Sequence, residues 1–212
     1  MVLIFEKKST NYFFWIGIAT IVFFVVYGSC NYYASTVSHT YKLYFPWELK
    51  IPLVPWMIIP YRSLDWIFVV AYFLLDKVHT KRLALHMMIS IIPAAIIFIL
   101  FPGECGFVRP DPSTLGIWKP IYEVLYTLDK PHNLYPSLHI TYSYLGLMAF
   151  HDMNKSLKVS LFSLVWFLMI CASVILTYQH HVIDIVMGLG LGYLTYKYTF
   201  RLQPSPAYEM AT

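Results

Sequence analysis

The stretch LKVSLFSLVWFLMICASVIL, Leu157–Leu176, runs directly into TYQHHVID, Thr177–Asp184. An apolar run of that length meets the roughly 20 residues a bilayer-crossing helix needs. The polar cluster at its end is therefore placed beside a membrane, where titratable groups are costly and functional by default. His180 and Asp184 are one helical turn apart, so the carboxylate can reach the imidazole on the same face. Upstream, Pro136-Ser137-Leu138-His139 opens a second apolar run, and Arg109-Pro110 stands in a polar segment before it.

The rest of the chain supports a membrane reading. Its 212 residues suit one domain. Mean hydropathy is +0.60. Charged residues make up 12%, against about a quarter in soluble domains. The formal charge of +4 is no sign of nucleic-acid binding, because Lys and Arg are scattered rather than gathered in a stripe. Cys30, Cys105 and Cys171 form no disulfide framework. Cys171 sits in an apolar run as packing, while a bridge between Cys30 and Cys105 is open if they share a side of the membrane. The first apolar run follows Lys7-Lys8 and lacks a small-residue cleavage site, so it reads as a retained helix and not a signal peptide.

Six spans are expected: roughly Tyr12–Ser29, Trp56–Leu75, Leu83–Phe101, Ser137–Phe150, Leu157–Leu176 and His181–Phe200. The Tyr-rich Asn31–Tyr44 suggests an interfacial helix. Pro102–Tyr135 is the longest loop, and long loops on a rigid scaffold often carry function. Residues 203–212 read as a flexible tail. Lys7, Lys8, Lys77, Lys81, Arg82, Lys155, Lys158, Lys197 and Arg201 fall on short segments at one side. Lys42, Lys50, Arg62, Arg109, Lys119 and Lys130 spread over longer loops at the other. The positive-inside rule then puts both termini in the cytoplasm and Arg109, His139 and His180 at the outer face.

Three motifs in this order, Arg109-Pro110, Pro136-Ser137-x-His139 and His180-x-x-x-Asp184, resemble the type-2 phosphatidic acid phosphatase (PAP2) superfamily, which includes lipid phosphatases, phosphotransferases and vanadium haloperoxidases. The resemblance covers about Ile51 to Gly192 and includes Ile51-Pro52-Leu53-Val54-Pro55-Trp56 and Asp129–Tyr135. It implies a metal-independent site with no cofactor. There are departures. Pro102 stands where the family has a lysine, and Val174 where it has an arginine after Ser173. Leu138 replaces a glycine, as in the branch resembling sphingolipid-type phosphotransferases. Two cations are thus missing from the phosphate cradle. Arg62, Lys119 and Lys130 are candidate replacements.

Each role has a chemical reason. Neutral imidazole is a nucleophile near pH 7, so His180 is expected to form a phosphohistidine. Asp184 would fix its tautomer and stabilise its cation. His139 would protonate the leaving alkoxide. Arg109 offers a planar fork to phosphate, joined by Ser137 and the N–H groups opening the following helix. Arg62 either contributes to the cradle or snorkels and pairs with Asp65. His181 reads as a pocket wall, and His132 as a neighbour of the headgroup. Haem ligation fits less well, since the histidines lie at helix ends. So does a His/Asp metal site, and no Gly-x-Ser-x-Gly or His-Glu-x-x-His occurs.

The expectation is an all-α, polytopic protein in a single membrane domain, 1–212, with a PAP2-like core of about 51–200. It is a six-helix bundle with its active site at the outer face, placed in a bacterial inner (plasma) membrane. The resemblance implies a lipid phosphatase working on a terminal phosphate of a phospholipid or an isoprenyl or lipid diphosphate. The alternatives are a phosphotransferase on the same scaffold and a catalytically degraded relative. The partners expected are the lipid phosphate and membrane lipids, with no nucleic acid, no metal and no obligate protein partner.

Overall fold

Apolar runs of this length satisfy their backbone groups internally by coiling, and the chain is helical accordingly. The computed structural model describes residues 7–154 and 156–201. The expected tail, 203–212, lies outside the described residues, as does Lys155. Among the described residues seven α-helices follow in order: α1 (Lys8–Thr36), α2 (Ile58–Leu74), α3 (Lys77–Leu100), α4 (Lys119–Leu128), α5 (Leu138–Met153), α6 (Leu157–Leu176) and α7 (Val182–Arg201). Short 3-10 turns occupy Pro46–Lys50, Pro55–Met57 and Pro112–Trp118. No strand occurs among the described residues; Tyr41 and Gly103 form one isolated bridge.

Four described segments are long and apolar enough to cross a membrane: Lys8–Thr36, Pro55–Leu74, Lys77–Leu100 and Leu157–Leu176. α5 and α7, expected as the fourth and sixth spans, do not reach that standard. At about 1.5 Å per residue, α5 is only about 24 Å long, short of a hydrocarbon core of about 30 Å. Its position explains its composition. α5 packs against α2, α3, α6 and α7, so Ser137, Thr141 and Ser143 are buried in protein.

α5 and α7 approach closely because Gly188 has no side chain. A Cβ there would sit 2.6 Å from the Ser137 carbonyl oxygen. The contact is sealed by Ser137 N–H donating to Asp184 O at 3.1 Å and by Thr141 Oγ1 donating to Gly188 O at 2.9 Å. The start of α5 is thereby held beside the start of α7.

Three local expectations are corrected. The Tyr-rich 31–44 region is no separate interfacial helix: α1 continues to Thr36, and the chain then runs non-helically to Phe45. α3 begins at Lys77, ahead of the expected Leu83, because Asp76 caps it by accepting from His79 N–H at 2.8 Å. The long loop contains α4, which buries Tyr122 and Leu125 and exposes Ile121, Val124 and Leu128. The Tyr122 hydroxyl donates to Pro55 O at 3.3 Å, so α4 lies across the bundle end where α2 begins. Cys30, Cys105 and Cys171 are all free thiols, and no Cys30–Cys105 bridge forms.

Candidate active site

Several helix ends meet at this end of the bundle. Val54 N–H donates to Leu176 O at 2.8 Å, Asn133 Nδ2 to Tyr27 O at 2.8 Å, and Asn31 Nδ2 to Lys130 O at 3.1 Å. The first of these bonds ties α6 to the segment that opens α2. The other two tie α1 to the loop that leads into α5.

α6 stops at Leu176 because the chain turns through Tyr178, whose φ is +60°. A left-handed residue after a helix is usually Gly, since a side chain makes that conformation costly. Tyr178 is held there at both ends of its side chain. Its ring stacks on Phe107 at 4.4 Å, and its hydroxyl donates to Ile51 O at 2.9 Å. The turn closes with the Gln179 and His180 N–H groups both donating to Val174 O, at 3.0 and 2.9 Å. It delivers His180 to the head of α7.

His180 Nδ1 lies 3.2 Å from Asp184 Oδ2, both groups being buried. A carboxylate only accepts, so the ring proton sits on Nδ1 and Nε2 keeps its lone pair. The same Oδ2 accepts from His181 N–H at 2.8 Å. Asp184 Oδ1 is buried without a partner.

His139 is on the first turn of α5. Its Nε2 donates to the Tyr61 carbonyl at 2.7 Å, and its ring stacks on Tyr61 at 4.1 Å with a 13° tilt. The proton is thereby fixed on Nε2, which leaves Nδ1 for a substrate. His139 and His180 line one cavity of about 610 Å³.

Arg109 is preorganised. Nη1 donates to Asp129 O and Nη2 to Gln179 Oε1, both at 2.6 Å, and the guanidinium lies 4.8 Å over the Tyr126 ring. Its Nε is buried without a partner. The acceptor Gln179 is the residue next to His180, so the arginine is tied to the turn that carries His180. Ser137 is fully buried as the cap of α5, its hydroxyl accepting from Ile140 N–H at 3.4 Å. Arg62 lines the same cavity as the two histidines, with its guanidinium 2.6 Å from Asp65 and both side chains about half exposed. Val174, where the resemblance implies an arginine, is buried in the core with Ile58 and Tyr61. Lys130 lines the cavity; Lys119 instead faces Glu123 at 3.7 Å.

His181 is in a buried aromatic column and not on the cavity wall. It stacks between Tyr44, at 4.6 Å, and Phe107, at 4.4 Å. Cys105 lies 3.9 Å from its Nε2, and burial raises the thiol pKa to about 11, so this group stays protonated. His132 reaches Gly103 O at 3.4 Å.

Sequence reasoning assigned no role to Glu48, Tyr61, Asp129 or Gln179. Tyr61 acts through its backbone carbonyl, which no side-chain pattern reports. Gln179 had a weak signal in its adjacency to His180.

The arrangement is a helical membrane-type bundle carrying a His–Asp pair, a second His and a braced Arg at one end. The PAP2 superfamily model matches residues 82–206, more than half of the chain, and the chain belongs to that superfamily. Comparison with curated proteins and with solved structures gave no significant match. Membership brings phosphatase or phosphotransferase activity as the general class of chemistry.

Proposed function

We propose that the chain is a membrane lipid phosphatase that removes a terminal phosphate from a phospholipid or an isoprenyl or lipid diphosphate. The observation that carries this reading is the shape of the cavity. From His139 and His180 it continues between α1 and α2 along Phe23, Phe24, Gly28, Leu64 and Phe68. Its volume is in the range of small-molecule sites. Beyond it, α1 and α2 are joined by the Tyr12 hydroxyl on Phe68 O and by Lys8 Nζ on Phe73 O at 3.0 Å. A phosphate at the histidines would thus have an apolar slot for its hydrocarbon chain.

In this reading His180 Nε2 attacks phosphorus and forms the N–P bond as the P–O bond to the lipid breaks. For this step His139 is the imidazolium: Nε2–H stays on the Tyr61 carbonyl, and the second proton, on Nδ1, passes to the leaving alkoxide and leaves the ring neutral. Water then attacks the phosphohistidine, giving its proton back to His139, and inorganic phosphate leaves. Asp184 stabilises the imidazolium, and Arg109 the equatorial oxygens.

A second reading, transfer of the phosphoryl or phospho-headgroup to a lipid hydroxyl, is favoured by the charge count. Arg62 is paired with Asp65, and Pro102 and Val174 supply no cation, so a singly charged phosphodiester suits the cradle as well. The Lys and Arg distribution supports a site at the outer face of a plasma membrane, with α5 and α7 completing a six-span bundle.

A lipid panel scored for free phosphate and for new phospholipid tests both readings; if neither product forms, both fall. The slot is tested at Gly28, where an added Cβ meets open space. Gly28→Leu should lower turnover of a long-chain lipid phosphate relative to a short soluble phosphoester. An unchanged ratio would remove the support for a lipid substrate.

A further inference from the structure

Glu48 is a fully buried carboxylate far in sequence from Arg109, His139, His180 and Asp184. It lies outside residues 82–206, the segment that matches the family. Burying a carboxylate is expensive unless its oxygens are hydrogen-bonded. Glu48 Oε1 accepts from Phe45 N–H at 2.9 Å. Oε2 accepts from Val182 N–H, the first residue of α7, at 2.9 Å. The same Oε2 is 3.1 Å from His181 Nδ1. Gly106 N–H donates to His181 Nε2 at 3.0 Å, so that nitrogen is an acceptor and Nδ1 carries the hydrogen given to Glu48.

Two carboxylates therefore hold consecutive N–H groups immediately after His180. Asp184 takes that of His181 and Glu48 that of Val182. Anions are favoured at a helix N-terminus, yet here the consequence is also one of placement. The peptide units that follow His180 are held against rotation. The clamp reaches further. Tyr44 and Phe107 sandwich His181, and Phe107 is two residues before Arg109. One carboxylate thus sets the nucleophile's turn against the loop that carries the arginine.

We propose that Glu48 is a positioning residue for phosphoryl transfer: it holds the His180–Val182 turn so that the His180 ring meets phosphorus at the angle the reaction needs. The proposal rests on the reading of His180 as nucleophile. A displacement of about 1 Å can cost on the order of a hundredfold in rate. Glu48→Gln keeps the size but loses the charge and one acceptor. It should lower kcat about tenfold or more and leave KM within about twofold.

The decisive measurement is chemical rescue. In His180→Gly, free imidazole supplies the nitrogen that bonds to phosphorus, and His139 still protonates the leaving group. Imidazole is not held by the turn. Adding Glu48→Gln to His180→Gly should then leave the imidazole-driven rate nearly unchanged, where the same substitution slows the native enzyme about tenfold or more. A Glu48→Gln substitution that slows the imidazole-driven reaction as much as it slows the native one would overturn the proposal, since its effect would be on the fold at large. Where imidazole restores no turnover, the kinetic split decides. A fall in kcat and in vanadate affinity at unchanged KM supports the proposal, and a lowered Tm with kcat intact ends it. Turnover surviving in His180→Gly without imidazole would instead overturn the underlying reading of the nucleophile.

Discussion

His139 lies flat against the ring of Tyr61 and donates its Nε2–H to that residue's backbone carbonyl. The two contacts fix the plane of the imidazole and keep Nε2–H on the carbonyl, so under the proposed mechanism a proton taken up and delivered by this ring is carried on Nδ1. His139→Ala should slow release of a poor leaving group, an alkyl alcohol, by about 100-fold or more, which is within the usual range for general acids. A nitrophenolate leaves without a proton, so its release should suffer far less. Parallel rate measurements on the two esters check this; equal losses would remove the acid role. Tyr61→Phe keeps ring and carbonyl and should behave nearly as wild type.

Gly188 sets the distance between α5 and α7, and therefore between His139 and His180. In Gly188→Ala the new methyl meets the Ser137 carbonyl oxygen at 2.6 Å, a backbone atom with no rotamer to escape into. Overpacking of this kind costs about 1–3 kcal/mol. Tm should fall and kcat should fall with it at temperatures where the variant is folded. Alanine at Gly190, where a Cβ meets nothing within 4 Å, is the control and should change neither.

Arg109 gives one N–H each to Asp129 O and Gln179 Oε1, a bracing that uses the planar fork. Lysine is a point charge with a flexible stem and cannot reproduce it. Arg109→Lys should lower kcat/KM by about 1.5–3 kcal/mol, the worth of a charge-assisted hydrogen bond. Vanadate, a mimic of the transferring phosphoryl group, should inhibit the wild type and lose affinity in the same variant. Inhibition by EDTA, reversed by a stoichiometric divalent ion, would point instead to a metal site. His181 is poorly placed to join one, since both its ring nitrogens are already hydrogen-bonded.

What could be read from the sequence follows from range. α6 has the expected limits, Leu157–Leu176, because its apolar run is bounded by polar residues on both sides. The pair of His180 and Asp184 was legible for the same reason, a spacing of one turn. α4 was not, because its proline and charges hid an amphipathic helix that rests on the bundle end. α5 carries a weaker signal of a span than α6, because it is a short helix enclosed by four others and buries polar side chains among them. Glu48 meets His181 across 133 residues, and such a pairing leaves no local periodicity. The same holds for the Tyr61 carbonyl, since any residue type supplies one.

Orientation rests on the Lys and Arg distribution. Lys119 begins α4 at the end of the bundle that carries the histidines, and Lys77 begins α3 at the opposite end. With the native cysteines replaced, a cysteine at Lys119 should react with a membrane-impermeant reagent in intact cells, and one at Lys77 only after permeabilisation. The reverse pattern would put the site in the cytoplasm.

Arg62 is the residue whose role is most open to a direct measurement. It shares the cavity with His139 and His180, yet Asp65 holds it at 2.6 Å one turn further along α2. An exposed pair of this kind contributes at most about 1 kcal/mol to stability, so losing the pair itself should barely change Tm. Its effect on phosphate is another matter. Arg62→Gln removes a cation from the cavity wall and should raise KM for a lipid phosphomonoester about tenfold, equivalent to about 1.4 kcal/mol. Asp65→Asn releases the same guanidinium and should act in the opposite direction, tightening vanadate binding. The two variants therefore separate cradle from snorkel by sign and not by size. Equal small losses in both, with KM within about twofold of wild type, would leave Arg62 as a surface ion pair and Arg109 as the main guanidinium for the phosphate.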